Sequence, residues 1–419
     1  MPRKVFLWYL ILLFFPSMTL LWADSVEKEI SLAGLDERSM DFDDLNPLRL
    51  NGQTHDDPAL RTLITGYAVA SYRYNDSGVA HEGLGNELHF GQDPAQTAEF
   101  AFNLIEVGFT KRFSSWAWVS AAIEVGLHRD AMGEQEAEIE LDQGAINLVA
   151  PIGNGLIFTA GKFNSPVSFE QEDAPLLLQA SNSLTFQFAS PAKMTGLMMT
   201  YPLSGYTELR AIVFNGWKSD GDNNDAKSLA LQFSYAPWHG VSTKFSYLWG
   251  AELEDNDSDA RHVLDFAATL TPFKDWLLGL ELAYGWDENQ STRAPGSDAE
   301  WWSGQVTLHY DFTSWFGTTL RYSFFKDQDG RPDIHAPQKR TMNEFTVASV
   351  FHISPDLLGF RGMGFIPHSE HPVSGIDLRL EYRYDWIDED GPEHFFKHEN
   401  GGLFTDERNM FIAELVASF

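Results

Sequence analysis

The chain contains no cysteine, which removes disulfides, thiol catalysis, cysteine-ligated metal and c-type haem attachment together. Basic residues are scarce: 29 Lys and Arg stand against 60 Asp and Glu, giving a formal charge of −31. A chain of that sign is no partner for nucleic acid, and it gathers cations around itself. Long apolar runs are missing too, apart from one near the start. After Ala23 no stretch approaches the roughly 20 residues that a spanning helix needs, so the rest is soluble or crosses a membrane as strands. The 13 histidines are scattered, with no HExxH spacing among them. His368 and His371 flank Glu370, a weak cluster that solvent exposure explains as well as metal does.

The N-terminal run has the anatomy of a signal peptide. Basic Pro2-Arg3-Lys4 precedes apolar Val5 to Trp22, and Ala23 stands ahead of acidic Asp24-Ser25. An uncleaved anchor is the alternative, and Pro16 with Ala23 favours cleavage after residue 23. Without Arg3 and Lys4 the balance is 27 − 60 = −33. Residues 24–59 then form an acidic leader carrying Asp36-Glu37, Asp41 and Asp43-Asp44. A short helix, a plug or a flexible periplasmic leader would each fit, and the composition favours the last.

What the chain has in quantity suits strands: 14% aromatic residues, 33 glycines and a mean hydropathy of −0.25. A membrane barrel is apolar on its outer face alone, so its mean hydropathy resembles that of a soluble protein. Period-2 alternation is clearest over 375–388. Ile376, Leu378, Leu380, Tyr382, Tyr384 and Trp386 share one face, while Asp377, Arg379, Glu381, Arg383 and Asp385 share the other. The same pattern gives strands near 60–74, 98–113, 116–129, 139–152, 156–165, 194–204, 207–217 and 227–238. It continues near 241–252, 261–273, 276–288, 299–313, 316–328, 342–354, 375–388 and 407–419. Tight turns alternate with longer polar loops, which is the asymmetry of outer-membrane barrels. The expected fold is therefore all-β: a transmembrane antiparallel barrel over 60–419 with about 16 strands, 14 or 18 remaining open. An even count puts both termini in the periplasm. The segment 355–374 breaks the rule, being long on the short-turn side. Phe419 ends the chain, with Ala417, Leu415, Ala413 and Phe411 at every second position before it. That ending resembles the signal read by the barrel-assembly machinery.

Gly161-Lys162-Phe163-Asn164-Ser165-Pro166, Glu170, Pro175, Asn182-Ser183, Pro191, Thr195-Gly196, Asn215-Gly216-Trp217 and Asp222-Asn223-Asn224 follow one another in an order that resembles the OmpL-like β-barrel porins. The resemblance is firmest over about 156–252 and looser to residue 419. Ser168, Met194 and Lys218 depart from the usual pattern. The resemblance implies an outer-membrane porin and supplies no substrate or catalytic residue.

The 166–193 loop is too long for a simple hairpin. It carries Glu170, Glu172 and Asp173, then Leu176-Leu177-Leu178, then Phe186 and Phe188. Folded inward, its carboxylates would face the basic residues Lys162, Arg210, Arg321, Arg379 and Arg383 and narrow the lumen. Packed on the rim, it would be an ordinary surface loop. Asp220, Asp222 and Asp225 offer oxygen ligands for Ca²⁺, although turn chemistry accounts for them equally well, and no metal is assigned. The expected function is passive diffusion of small hydrophilic solutes or ions, weakly favouring cations, without enzyme activity or cofactor. Outer-membrane lipid and the assembly machinery are the expected partners, with a homotrimer by analogy. A barrel lipase or protease is the alternative, as is a structural sheath around a larger complex.

Overall fold

A computed structural model of the chain describes residues 62–79, 98–129, 135–217, 224–238, 240–253, 256–331, 339–353, 375–389, 396–398 and 404–419. Sixteen strands close into one antiparallel barrel. They are β1 Thr62–Asn75, β2 Ala98–Ser114, β3 Ala117–Arg129, β4 Gln135–Ala150, β5 Leu156–Asn164, β6 Lys193–Ser204, β7 Thr207–Phe214 and β8 Ser228–Trp238. There follow β9 Val241–Ala251, β10 Ala260–Leu270, β11 Trp276–Asp287, β12 Ala299–Thr313, β13 Phe316–Asp327, β14 Arg340–Ile353, β15 Gly375–Glu389 and β16 Glu407–Ser418. Each pairs with its neighbours in sequence, and β16 returns to β1. The number and order match the alternation, and β4 begins four residues earlier than expected. The described residues contain no helix able to cross a membrane. Unforeseen short strands at Ser77–Val79, Phe396–His398 and Phe404–Thr405 pair into a small separate sheet. The segments expected to be signal peptide and leader, the 355–374 exception, and His368, Glu370 and His371 lie outside the described residues.

Alternation decides which face goes where. Along β15 Arg379, Glu381, Arg383 and Asp385 are buried while Tyr382 is exposed, so the charged face points inward. The opposite face of the barrel is apolar and exposed, as lipid requires. Aromatic rings gather at both ends of it. Trp116, Trp238, Phe273, Phe312 and Trp315 are exposed at the short-turn end, where Trp276 packs on Tyr310 at 4.6 Å. At the long-loop end Tyr284 packs on Trp302 at 4.2 Å. Two such girdles mark the headgroup levels.

The seam is closed by the last residue. The Phe419 N–H donates to the Gly66 carbonyl at 2.9 Å, and the Gly66 N–H donates to the Phe419 carbonyl at 3.0 Å. Position 66 has to be glycine: a Cβ there would lie 2.5 Å from the Glu106 carbonyl oxygen and 2.6 Å from the Phe419 ring. The ring covers the bare backbone on the outer wall, a pairing that supports an otherwise weak strand site.

Candidate functional site inside the barrel

The connection between β5 and β6 spans 165–192 and is not a rim loop. It contains a 3₁₀ turn at Ala174–Leu176 and a helix, α1, at Leu184–Ala189. Ser183 caps α1, its Oγ accepting the Phe186 N–H at 3.0 Å, and Ser190-Pro191 ends it. The polar atoms of the segment meet inward-facing side chains in mid-barrel. Gln232 of β8 donates to the Pro166 carbonyl at 2.7 Å. Glu281 of β11 accepts from the Ser168 hydroxyl at 3.0 Å and the Phe169 N–H at 3.1 Å. Glu381 of β15 accepts from the backbone N–H groups of Ala180 at 2.7 Å and Ser181 at 3.2 Å, and from the Ser181 hydroxyl. Arg379 donates to the carbonyls of Ala174 at 2.8 Å and Gln179 at 3.2 Å, and Arg383 to that of Asn182 at 2.7 Å. A chain with few internal hydrogen bonds thus has its backbone groups satisfied by the barrel wall, as burial demands.

An apolar tier holds the second half of the segment. Just inside the long-loop end, Phe214, Leu248, Val263, Trp301, Phe325 and Met342 turn inward and pack with Leu184, Phe188 and Ala189 of α1. Arg331 roofs this tier, 5.0 Å from the Trp301 ring and 5.1 Å from Phe325, and donates to the Phe188 carbonyl at 2.7 Å. The loop residues Leu177, Phe186 and Phe188 are buried. Lower down, Phe169 lies where a Cβ on Gly279 would come within 2.0 Å of its ring, so the glycine of β11 leaves the notch that the ring fills.

The expected basic partners are distributed differently from the sequence reading. Glu170 does meet Arg321, at 2.9 Å, and accepts the Ser183 N–H at 2.8 Å. Arg379 and Arg383 bind loop carbonyls rather than loop carboxylates, and their ion pairs are with Glu414 at 3.0 Å and Asp385 at 2.9 Å. Lys162 pairs with Glu140 at 2.7 Å, and Arg210 with Glu208 at 2.7 Å. Glu172 pairs with Lys193 at 3.1 Å, and Asp173 accepts from the Asn164 amide at 3.0 Å. Burial and the carboxylates of Asp142 and Glu172 push Asp173 up to about 7, against the pull of Lys193 and Asn164. Of the calcium candidates, Asp220 and Asp222 lie outside the described residues, while the Asp225 N–H donates to Asp257 at 2.8 Å.

Two charge environments result. Around β13–β16 the arginines Arg321, Arg379, Arg383 and Arg408 interleave with Glu344, Glu381, Asp385 and Glu414, all at most 2% exposed. Arg408 reaches Asp385 at 2.6 Å, and Arg321 reaches Glu344 at 3.0 Å. Around β2–β6 the carboxylates Glu106, Glu124, Glu140 and Asp142 join Glu172 and Asp173, with Lys162 and Lys193 as the cations paired with members of the group. Six carboxyl groups stand there against two lysines, an excess of four acidic side chains. Sequence reasoning missed Lys193, which stands one residue before the expected strand, and Asp142. A β-bulge at Ala122/Ile123 makes Asp142 the extra residue of β4 and so breaks the strict alternation that would have flagged it. Glu381 and Asp385 share one face with Arg379 and Arg383 in the sequence pattern, which does not show the loop contacts of Glu381, Arg379 and Arg383.

The described residues also join a hydroxyl, an imidazole and a carboxylate. His309 Nδ1 is 2.8 Å from Thr319 Oγ1, and its Nε2 is 3.2 Å from Asp311. Thr319 is fully buried, however, and its hydroxyl donates to the Leu178 carbonyl at 3.0 Å. The hydroxyl proton is therefore not offered to the imidazole, and a nucleophile needs that geometry.

Among solved structures, the barrel is similar to the outer membrane channel DcaP of Acinetobacter baumannii, with 14% identity and a TM-score of 0.55 over 87% of this chain and 99% of that one. It is similar to an anion-selective porin from Comamonas acidovorans at 10% identity and a TM-score of 0.57, over 86% and 99%. OmpT of Vibrio cholerae, an outer-membrane protein, aligns at 9% identity and a TM-score of 0.53, over 88% and 99%. At such identities the likeness is one of fold. A sequence search of curated proteins found no match. The model of the family described as "Putative beta-barrel porin-2, OmpL-like" matches residues 63–419, from the first barrel strand to the last residue, and the chain belongs to that family of bacterial outer-membrane barrels.

Proposed function

We propose that this protein is a passive diffusion channel for small hydrophilic solutes and ions, that it favours cations, and that the 165–192 segment sets its narrowest level. The single observation that carries the cation preference is the excess of four carboxyl groups over lysines around β2–β6, beside a β13–β16 wall where Arg321, Arg379, Arg383 and Arg408 interleave with Glu344, Glu381, Asp385 and Glu414. Fixed charge of one sign facing a pathway concentrates the opposite ion there. The likeness to an anion-selective porin argues nothing about sign, because selectivity lives in the inward side chains and not in the fold. The docked segment supports the constriction, since its backbone is tied to inward side chains of β8, β11, β13 and β15. The Thr319–His309–Asp311 hydrogen bonding favours a channel over a barrel hydrolase. Long loops face the cell exterior in this reading, and both termini face the periplasm. The terminal aromatic is the mark read at assembly, and a homotrimer is the proposed state by analogy with other sixteen-stranded porins.

Reversal potentials in planar bilayers test the sign. A cation preference is expected at low salt, fading as the Debye length falls from ~30 Å at 0.01 M to ~3 Å at 1 M. Replacing Glu172 and Asp173 by Gln and Asn should weaken it. An anion preference at low ionic strength would refute the assignment.

A further inference from the structure

Glu106 of β2, Glu124 of β3 and Asp142 of β4 each bring a carboxylate oxygen to within 4.8 Å of the other two. All three are more than nine-tenths buried, Asp142 to 2% exposure. Glu106 and Glu124 are direct cross-strand partners, an arrangement that like charges disfavour. The neighbouring cations do not resolve it. Lys193 is taken by Asp142 and Glu172, and Lys162 by Glu140, while Glu106 accepts a long 3.4 Å hydrogen bond from the Tyr67 hydroxyl. Glu124 Oε1 and Asp142 Oδ2 are buried with no hydrogen-bond partner. Two buried carboxyl oxygens without a partner, in a trio of carboxyl groups that approach one another within 4.8 Å, call for a group that fits between them.

We propose that Glu106, Glu124 and Asp142 bind one divalent cation, Ca²⁺, in the barrel wall beside the loop. The donors are all hard carboxylate oxygens, which suits Ca²⁺ and excludes a preference for the softer metals. Oxygens on one Ca²⁺ at ~2.3–2.6 Å lie at most ~5 Å apart, and the observed separations fall within that limit. Ca²⁺ tolerates irregular coordination completed by water, whereas Mg²⁺ demands a near-octahedral shell that three residues on adjacent strands do not preset. The bulge of β4 has a role here, because it carries Asp142 to the inner face and supplies the third ligand. The ion would balance the ionised carboxyl groups it draws together, and its site stands whether or not the 165–192 segment limits conduction.

The test uses the full folded protein in detergent, stripped with EGTA and titrated with CaCl₂ in a calorimeter, alongside the temperature at which the barrel unfolds on a heat-modifiability gel. One bound Ca²⁺ is expected, with a higher unfolding temperature and weaker binding of Mg²⁺. Glu124→Gln and Asp142→Asn preserve shape and relieve repulsion, so both should fold. Each should weaken Ca²⁺ by at least about tenfold, the loss typical even of indirect ligand contacts. Absence of a binding event at millimolar CaCl₂ would overturn the proposal. So would unchanged affinity in both variants, which would assign the ion to the exposed acidic loops. A third overturning result is equal stabilisation by Glu124→Gln with and without Ca²⁺ and no heat of binding, which would mean that protons alone neutralise the cluster.

Discussion

Arg321→Met removes a side chain that ties the inner segment to the barrel through both charge and backbone. The guanidinium donates to Glu344 at 3.0 and 3.2 Å, to Glu170 at 2.9 Å, and to the Ser181 carbonyl and hydroxyl at 2.6 and 3.1 Å. Methionine fills much of the volume and supplies no donor. Glu344 stays on the wall in either state of the loop, but Glu170 and Ser181 lose their partner only while the loop is docked. Stripping a buried ion pair of one member costs roughly 3–5 kcal/mol, because the other is left charged and dry. At ~1.4 kcal/mol per decade that shifts the equilibrium toward undocking by about two to three and a half decades. The variant should keep its heat-modifiable, membrane-inserted barrel, since the strand ladders do not involve this side chain. Its single-channel conductance should be larger and noisier, and protease should cut within 176–188 where the parent resists. Parental conductance together with parental protease resistance would refute the reasoning. It would mean that the apolar tier around α1 holds the segment without the polar anchors.

Deleting Phe419 removes both hydrogen bonds to Gly66 and the ring that covers it, leaving bare backbone at the seam where each unpaired group in lipid costs several kcal/mol. Inserted, heat-modifiable barrel should fall sharply in membrane fractions, and normal yields would count against the seam's importance. The raised Asp173 carboxyl predicts a pH effect. Its protonated form is favoured in the docked segment, so the contribution to docking is full below its ordinary carboxylate range and is lost as pH rises through about 7. Over the same window the pathway gains negative charge. Cation preference measured by reversal potential should therefore rise between pH 6 and pH 8, and Asp173→Asn should flatten the curve.

The sequence by itself determined the wall. Strand alternation has a period of two and needs no partner to be seen, so spacing alone puts Arg379, Glu381, Arg383 and Asp385 on one face of β15. Loop lengths, the even count and the terminal Phe419 followed from the same local signals, and fifteen of the sixteen strands began within two residues of the expected positions. The alternation failed where a local rule is broken. The β4 bulge shifts the phase at Asp142, and inward aromatics such as Trp301 and Phe325 make both faces of a strand apolar near the long-loop end. The tertiary structure alone decided what fills the barrel. The 165–192 segment has apolar and acidic residues, and its composition suits a rim or a lumen equally well. Its place follows from contacts more than a hundred residues distant: Glu170 with Arg321, Ala180 with Glu381, Phe169 with Gly279. Such contacts exist only once sixteen strands have closed, because closure is what brings a β13 guanidinium, a β15 carboxylate and a β11 notch around one stretch of chain. The acidic trio is more local: Glu106 and Glu124 face each other across the β2–β3 hairpin, and the β4 bulge sets Asp142 beside them.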